Sequence, residues 1–348
     1  MKGKNFLPMS KKLLTIKEVK LLPVDAEFYV KGVASRLTRR VDRNNNPFWE
    51  MALSDQTGDI EGKIWGTSSW INRQGGDSFP VDPDNCGLRF EGSSIGISGK
   101  VGQFRDLLQY NFNEVYYLDQ EQNPPSGFVK KSPVDSAYLE DSFRDLIAEV
   151  SHKAIHDFLL SVFFTKYNLW EKFKIWPAAT LLHHAYVGGL LEHSVSVAIG
   201  ARDIARHYES FKVPVNMNIV LAGALLHDIG KLESYTVNTT PKNTVKGNTL
   251  DHIILGSHMF MKFAEAENLN EDISHALAHI IVSHHGLREF GSPVLPQTPE
   301  AMIVSAADDL DFKLNYWKTQ IEALSPQSEF TDFLNFIDRR LWRGVEIK

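Results

Sequence analysis

Residues 222–235 read AGALLHDIGKLESY, and they place the adjacent pair His227–Asp228 at the end of an apolar segment. Ala222, Leu225 and Leu226 recur at helical spacing, and Gly230 offers a point where the helix can loosen. Burying neighbouring His and Asp side chains is costly unless something ionic satisfies them. A divalent metal would do so, because neutral imidazole and carboxylate are both good ligands. A His–Asp hydrogen bond inside a core is the plainer reading, and the neighbouring segments decide between the two.

In GLLEHSVSVAIGARDIA, His193 shares a helix face with Leu190, Val197 and Ile204. In LDHIILGSHMFMKFA, His258 lies beneath Ile254 and Leu255 and next to Met261. In EDISHALAHIIVSHHG, His284 aligns with Leu277, Ile280 and Ile281, whereas His275 and His279 share another face. In PEAMIVSAADDLDFKL, Asp308 follows Ala301 and Val304 at helical spacing. Each could be a core residue with one hydrogen-bond partner. Five helices each presenting such a group inward are better explained by two divalent ions bridged by a carboxylate, which need about five or six N/O ligands. His285 and Asp309 adjoin two of these positions.

The surrounding chain is helical in period. Helices are predicted near 137–150, 152–166, 189–208, 216–229, 250–267, 271–285 and 299–324, followed by a short tail helix, with no strand-like run of comparable strength. All 13 histidines lie from His152 to His285, so the back of the chain is chemically distinct from the front. The front reads as short strands: Glu27–Arg36, Phe48–Ser54, Asp59–Trp65, Ser94–Val101 and Gln109–Leu118, with a tight turn at Asp55–Gly58. Five short strands with one longer connection before the fourth predict a small closed barrel of OB type. Gln120–Pro133 is polar, has three prolines and lacks period, as a linker would. The expected organisation is a loosely tied leader over 1–20, with a short helical or strand piece at Leu13–Leu22. It continues with an all-β OB-type barrel domain over 21–119, a linker over 120–136 and an all-α, His-rich domain over 137–348.

Composition agrees with a soluble chain long enough for two cores: 348 residues, 43% hydrophobic and 23% charged. The net charge of -6 provides no global attraction for nucleic acid, so a binding surface must be local. Cys86 is the single cysteine, which excludes an internal disulfide and suits a reducing cytoplasm. The basic N-terminus lacks a signal-peptide apolar run, and no 18-residue apolar stretch predicts a membrane span.

His193, His227–Asp228 and Asp308 together resemble the H…HD…D skeleton of the HD-domain metal-dependent phosphohydrolases. His258 and His284 resemble the extra ligands of the two-metal variant. Pro177–Ala178–Ala179, HHAYVGGLLEHS at His183–Ser194, HDIGK, SHHG with FGSP, and AADDLD further resemble the YhaM family of 3′–5′ exoribonucleases. That resemblance runs through nearly the whole chain apart from residues 1–20 and 67–92, and implies an OB-fold in front of an HD domain. It also implies Mn²⁺ or Mg²⁺ as the metal, while iron is chemically allowed by a His-rich site.

The expected metal ligands are therefore His193, His227, Asp228, His258, His284 and Asp308, with Asp228 bridging. Lys231, one turn past Asp228, could hold a phosphate oxygen or be a solvated lysine at a helix end. His183 and His184 precede the Gly188–Gly189 turn. His184 is the candidate for contacting phosphate or protonating the leaving oxygen, with capping and packing as the alternative. Gly286 and Phe290–Pro293 are expected to loop over the site. On the barrel, strand-binding candidates are Arg36, Arg39 and Arg40 beside Phe48 and Trp49, Lys63 with Trp65, and Lys100 with Phe104 and Arg105. Against these, Phe48 and Trp65 could fill the barrel, and Glu50, Asp55, Asp59 and Glu61 dilute the charge. The expected activity is 3′–5′ hydrolysis of single-stranded RNA, extending to single-stranded DNA, to nucleoside 5′-monophosphates. A phosphohydrolase of free or cyclic nucleotides and a non-catalytic single-strand-binding protein are the alternatives. No membrane partner is expected, and a homo-oligomer is compatible with the sequence.

Overall fold

A computed structural model describes residues 12–105, 107–180, 184–237, 241–325 and 327–345. The described chain divides at Lys131/Ser132 into two compact units.

The first unit is built on strands. Its elements are β1 (Leu13–Leu14), α1 (Ile16–Val19), β2 (Glu27–Val41), β3 (Pro47–Asp55), β4 (Gly58–Trp65), β5 (Ser69–Asn72), β6 (Phe79–Pro80), β7 (Ser94–Phe104) and β8 (Leu107–Tyr117). β2, β3 and β4 form an antiparallel meander; β4 pairs in parallel with β8, β8 pairs antiparallel with β7, and β7 returns antiparallel to β2. The sheet is thereby closed in the OB order, and closure removes the unpaired edges that an open sheet would expose. Alternation sends Trp49, Met51 and Leu53 of β3 and Ile60 and Ile64 of β4 inward. Between the last two lies Gly62, where an added Cβ would sit 2.3 Å from the Phe112 ring, so the barrel is filled by the aromatic residue across it. The five long strands match those expected, and β5 and β6 fall in the interval 67–92. Residues 12–20 are not a loose leader. Thr15 and Glu18 form a capping box around α1, which buries Ile16 and Val19 in the barrel core. Residues 1–11 lie outside the described residues.

The second unit is helical. It comprises α2 (Ser136–Ala148), α3 (Lys153–Phe163), α4 (Trp170–Phe173), α5 (Gly189–Ser210), α6 (Met217–Leu226), α7 (Lys231–Ser234), the two-stranded ribbon β9 (Tyr235–Thr236) and β10 (Lys242–Asn243), α8 (Val245–Ala266), α9 (Glu271–Ser283) and α10 (Pro299–Ala323). Residues Ile219–Leu226 of α6 are all buried, which marks it as the central helix, with α5, α9 and α10 packed around it. The expected tail helix is not formed among the described residues. Instead the chain folds back on itself through Phe330–Trp342 and Leu334–Arg339 bridges, and the Thr331 hydroxyl accepts a bond from the Leu341 amide. No helix of the described residues is long and apolar enough to cross a membrane.

Candidate metal centre

Helix ends and one tight interhelical contact assemble the site. His227 closes α6 and His284 closes α9, while His193 lies within α5 and Asp308 and Asp311 within α10. The chain then continues from His227 through Asp228 to Gly230. A Cβ added at Gly230 would lie 2.0 Å from the His252 carbonyl oxygen and 2.4 Å from the Gly256 nitrogen. The absence of a side chain thus lets α8 lie directly against the His227–Gly230 segment, and His252 arrives beside Asp228.

The polar atoms fall into two groups on either side of the Asp228 carboxylate. On one side, His193 Nε2 lies 3.1 Å from His227 Nε2, 3.2 Å from Asp228 Oδ2 and 3.2 Å from Asp308 Oδ1. On the other, Asp228 Oδ1 faces His252 Nε2 at 3.5 Å and His284 Nε2 at 3.7 Å, and His285 clusters with these two histidines. One buried carboxylate therefore offers a different oxygen to each set of nitrogens.

Five imidazoles share one mode of support. Nδ1 of His227, His284 and His285 each donates to a backbone carbonyl, of Ala224, Ile281 and Phe290 respectively, at 2.7 Å. Nδ1 of His193 lies 2.7 Å from Asp311, and Nδ1 of His252 lies 2.9 Å from Asp251. A proton fixed on Nδ1 leaves the Nε2 lone pair of a neutral ring to face inward, the tautomer a metal ligand needs. Among the described residues, three buried atoms of the centre then have no hydrogen-bond partner: Asp228 Oδ1, His252 Nε2 and His284 Nε2. Each orphaned group costs about 1–3 kcal/mol, and all three converge on one space. A divalent cation satisfies all three, and metal–ligand bonds of about 2.0–2.2 Å are compatible with ligand atoms little more than 3 Å apart. The residues fit a metal.

Electrostatics follow from the same arrangement. Burial alone would lower the affinity of His193 for its proton, but Asp228, Asp308 and Asp311 outweigh it and hold the ring's pKa well above the ordinary value. His284 is held well below, by burial first and then by the neighbouring His285 and His227. Burial would raise the pKa of Asp228; Lys231 and His227 reverse this and keep it ionised. Without cations, the Lys231 ammonium and a protonated His193 offset two of the three negative charges of Asp228, Asp308 and Asp311.

Of the expected ligands, the structure brings together His193, His227, Asp228, His284 and Asp308. It does not bring His258, which is exposed, and His252 stands in its place. The two differ by six residues, which turns His258 well away from the face that packs on Gly230. Ile254 and Met261, the expected apolar neighbours of His258, are themselves exposed. His252, His285, Asp251 and Asp311 were not chosen from the sequence. Gly256, one turn beyond His252, is the signal that this face makes a close approach, and Asp311 shares the face of Asp308 at i, i+3.

Lys231 is buried, not solvated, and donates to Asp228 Oδ2 at 2.5 Å. His184 is 3% exposed, with Nε2 3.0 Å from Asp311 and Nδ1 2.9 Å from the Tyr186 hydroxyl. With both nitrogens engaged, it supports Asp311 and through it His193, and is not placed to hand a proton to a substrate. His183 lies outside the described residues.

On the barrel, the Phe48 and Trp65 rings lie 5.3 Å apart on the outer face, with Lys63 Nζ within 5.8 Å of both. Trp49 is not part of that surface. Strand alternation turns it inward, where it meets Trp70 edge-on at 5.6 Å. Arg36, Arg39 and Arg40 pair with Glu61, Asp84 and Glu50, and Lys100 with Asp25. Phe104 is 58% exposed, with the Arg105 guanidinium 5.3 Å from its ring.

Comparison with known proteins places this geometry in context. The HD domain family matches residues 190–313, which spans His193 to Asp311. The 3′-5′ exoribonuclease YhaM of Bacillus subtilis (strain 168) is 29% identical over 304 residues, covering 87% of this chain and 90% of that protein. The 3′-5′ exoribonuclease YhaM of Geobacillus sp. (strain WCH70) is 27% identical over 318 residues, covering 91% of this chain and 90% of that protein. An OB domain from Methanosarcina mazei matches 30% of this chain and 80% of its own, at 20% identity and a TM-score of 0.22. With an OB-like barrel followed by a helical unit that the HD domain family matches, the chain is similar through most of its length to the YhaM 3′-5′ exoribonucleases.

Proposed function

We propose that the chain hydrolyses single-stranded RNA from its 3′ end, with single-stranded DNA as a further substrate, releasing nucleoside 5′-monophosphates, and that it uses two divalent ions, Mn²⁺ or Mg²⁺. The observation that carries the two-ion reading is the Asp228 carboxylate, with Oδ2 beside His193 and His227 and Oδ1 facing His252 and His284. His193, His227, Asp308 and Asp228 Oδ2 would hold one ion. His252, His284, His285 and Asp228 Oδ1 would hold the other. When bound, such ions supply a nucleophilic water near neutral pH and take up charge on the phosphodiester.

The chain's own residues supply order. The Nδ1 tethers hold every imidazole with Nε2 inward, so little reorganisation is needed during reaction. Lys231 fixes the Asp228 carboxylate by a charge-assisted hydrogen bond, which keeps one oxygen directed to each cluster. Phe48, Trp65 and Lys63 provide a stacking surface with a cation, a combination that suits bases of any sequence. The reducing cytoplasm is the compartment we infer, from the single unpaired Cys86.

Purified metal-loaded protein given 5′-labelled single-stranded RNA should produce a ladder shortened from the 3′ end. A 3′-phosphate should slow it and a blocked 5′ end should not. Asp228→Ala should abolish it. Cleavage of circular RNA would overturn the exonuclease reading, and turnover confined to mononucleotides or cyclic nucleotides would support a small-molecule phosphohydrolase instead.

A further inference from the structure

α8 is not one continuous helix. Asp251 interrupts it with φ 65° and ψ 157°, a region that almost only glycine occupies. A side chain that tolerates such strain needs a compensating role. Asp251 Oδ1 lies 2.9 Å from His252 Nδ1 and accepts a 3.0 Å bond from the Ile253 amide. The second bond starts the following helical limb; the first fixes which nitrogen of His252 carries the proton. His252 Nε2 is then directed at Asp228 Oδ1, where both atoms are buried without hydrogen-bond partners. The other ligand rings on this side, His284 and His285, are held by backbone carbonyls. Among the described residues, Asp251 is the carboxylate tether on the Oδ1 side of the centre, as Asp311 is on the Oδ2 side.

We propose that Asp251 is the positioning residue for the cation held by His252, His284 and His285, and that its strained backbone is retained to orient His252. The proposal rests on the two-ion reading above. Carboxylate tethers of this kind set ring orientation and ligand basicity, and their loss costs 10- to 100-fold in metal affinity.

The test uses the full chain, stripped of metal and titrated with Mn²⁺ by equilibrium dialysis and calorimetry. Asp251→Gly should weaken one of two Mn²⁺ sites by about 10- to 100-fold and leave the other within about twofold. Because glycine adopts this backbone without strain, the thermal midpoint of the metal-free variant should stay level or rise. Asp251→Asn, which keeps an acceptor but not the charge, should recover part of the lost affinity. Two Mn²⁺ bound with wild-type affinity by Asp251→Gly would overturn the proposal. So would weakened binding accompanied by a lower metal-free thermal midpoint, because Asp251 would then be only a cap. Wild-type protein that binds a single Mn²⁺ would overturn the two-ion reading itself, and the proposal with it, so the two failures are read from different arms.

Discussion

Replacing Asp228 with Asn preserves shape and removes one charge from a fully buried ion pair. Asp228 is 2% exposed and Lys231 4%, and their polar atoms are 2.5 Å apart. At an effective dielectric constant of about 20, opposite unit charges at that separation attract by about 7 kcal/mol. Desolvation consumes part of this, and breaking a buried pair by removing one partner costs about 3–5 kcal/mol. For a unit of this size each kcal/mol corresponds to roughly 2–4 °C. Metal-free Asp228→Asn should therefore melt about 6–20 °C below wild type in scanning calorimetry. Lys231→Met should also melt lower, but by less, because the protonated His193 ring 3.2 Å from Asp228 Oδ2 still pairs with the carboxylate. The double variant removes both charges and should lose less than the sum of the singles, with a coupling of about 2–3 kcal/mol. Additive losses, with coupling below about 0.5 kcal/mol, would refute the pair as the element that holds Asp228 in place.

Three further outcomes follow from the same structure. His252→Ala should reduce Mn²⁺ stoichiometry while His258→Ala leaves it unchanged; equal loss in both, read by metal analysis after dialysis, would reverse the assignment. Trp65→Ala should weaken binding of single-stranded RNA by about 1–3 kcal/mol without unfolding the barrel. Trp49→Ala should instead cost about 3–5 kcal/mol of stability, and circular dichroism melts with fluorescence titrations separate the two. The last outcome concerns acid. Burial and neighbouring rings hold His284 and His285 below the ordinary histidine range. Such groups take up protons more readily in the unfolded chain. Stability of the metal-free protein should therefore fall as pH drops below about 6.5, by up to about 1.4 kcal/mol per pH unit for each ring. His193 is shifted the other way and contributes no slope there, because below that pH it is protonated in both states. A flat melting profile from pH 6.5 to 5 in chelator would exclude this linkage.

Much of this architecture was legible because its signals are local. The barrel strands announce themselves by alternation, and His227–Asp228 by the cost of ionisable groups on an apolar helix. What was illegible depends on tertiary contact. Parallel pairing of β4 with β8, which closes the barrel, leaves no mark in either strand. Phe48 and Trp49, by contrast, must face opposite sides of β3, and the strand itself carries the phase: Met51 and Leu53 share the face of Trp49, while Glu50 shares that of Phe48. In α8 the apolar residues at Ile254 and Met261 lie in solvent, so amphipathicity misjudged the helix phase and selected His258. The break at Asp251 was equally hidden, since TLDHII reads as continuous helix. Asp311 could have been found: its spacing from Asp308 put a second carboxylate on the same face.

The contact between Gly230 and Gly256 acts as a spacer gauge for the centre. His252 and Asp228 belong to segments whose separation is set by backbone meeting backbone, with no side chain between them that could be exchanged for a slightly larger or smaller one. Most helix–helix distances can drift by fractions of an ångström as core residues are swapped; this one has a hard stop. The gap across the Asp228 carboxylate is thus insulated from changes elsewhere in the core. The same feature makes it brittle. A single methyl at residue 230 would force apart the halves of the site without altering any ligand, and would leave a protein with all its histidines and the wrong distance between them.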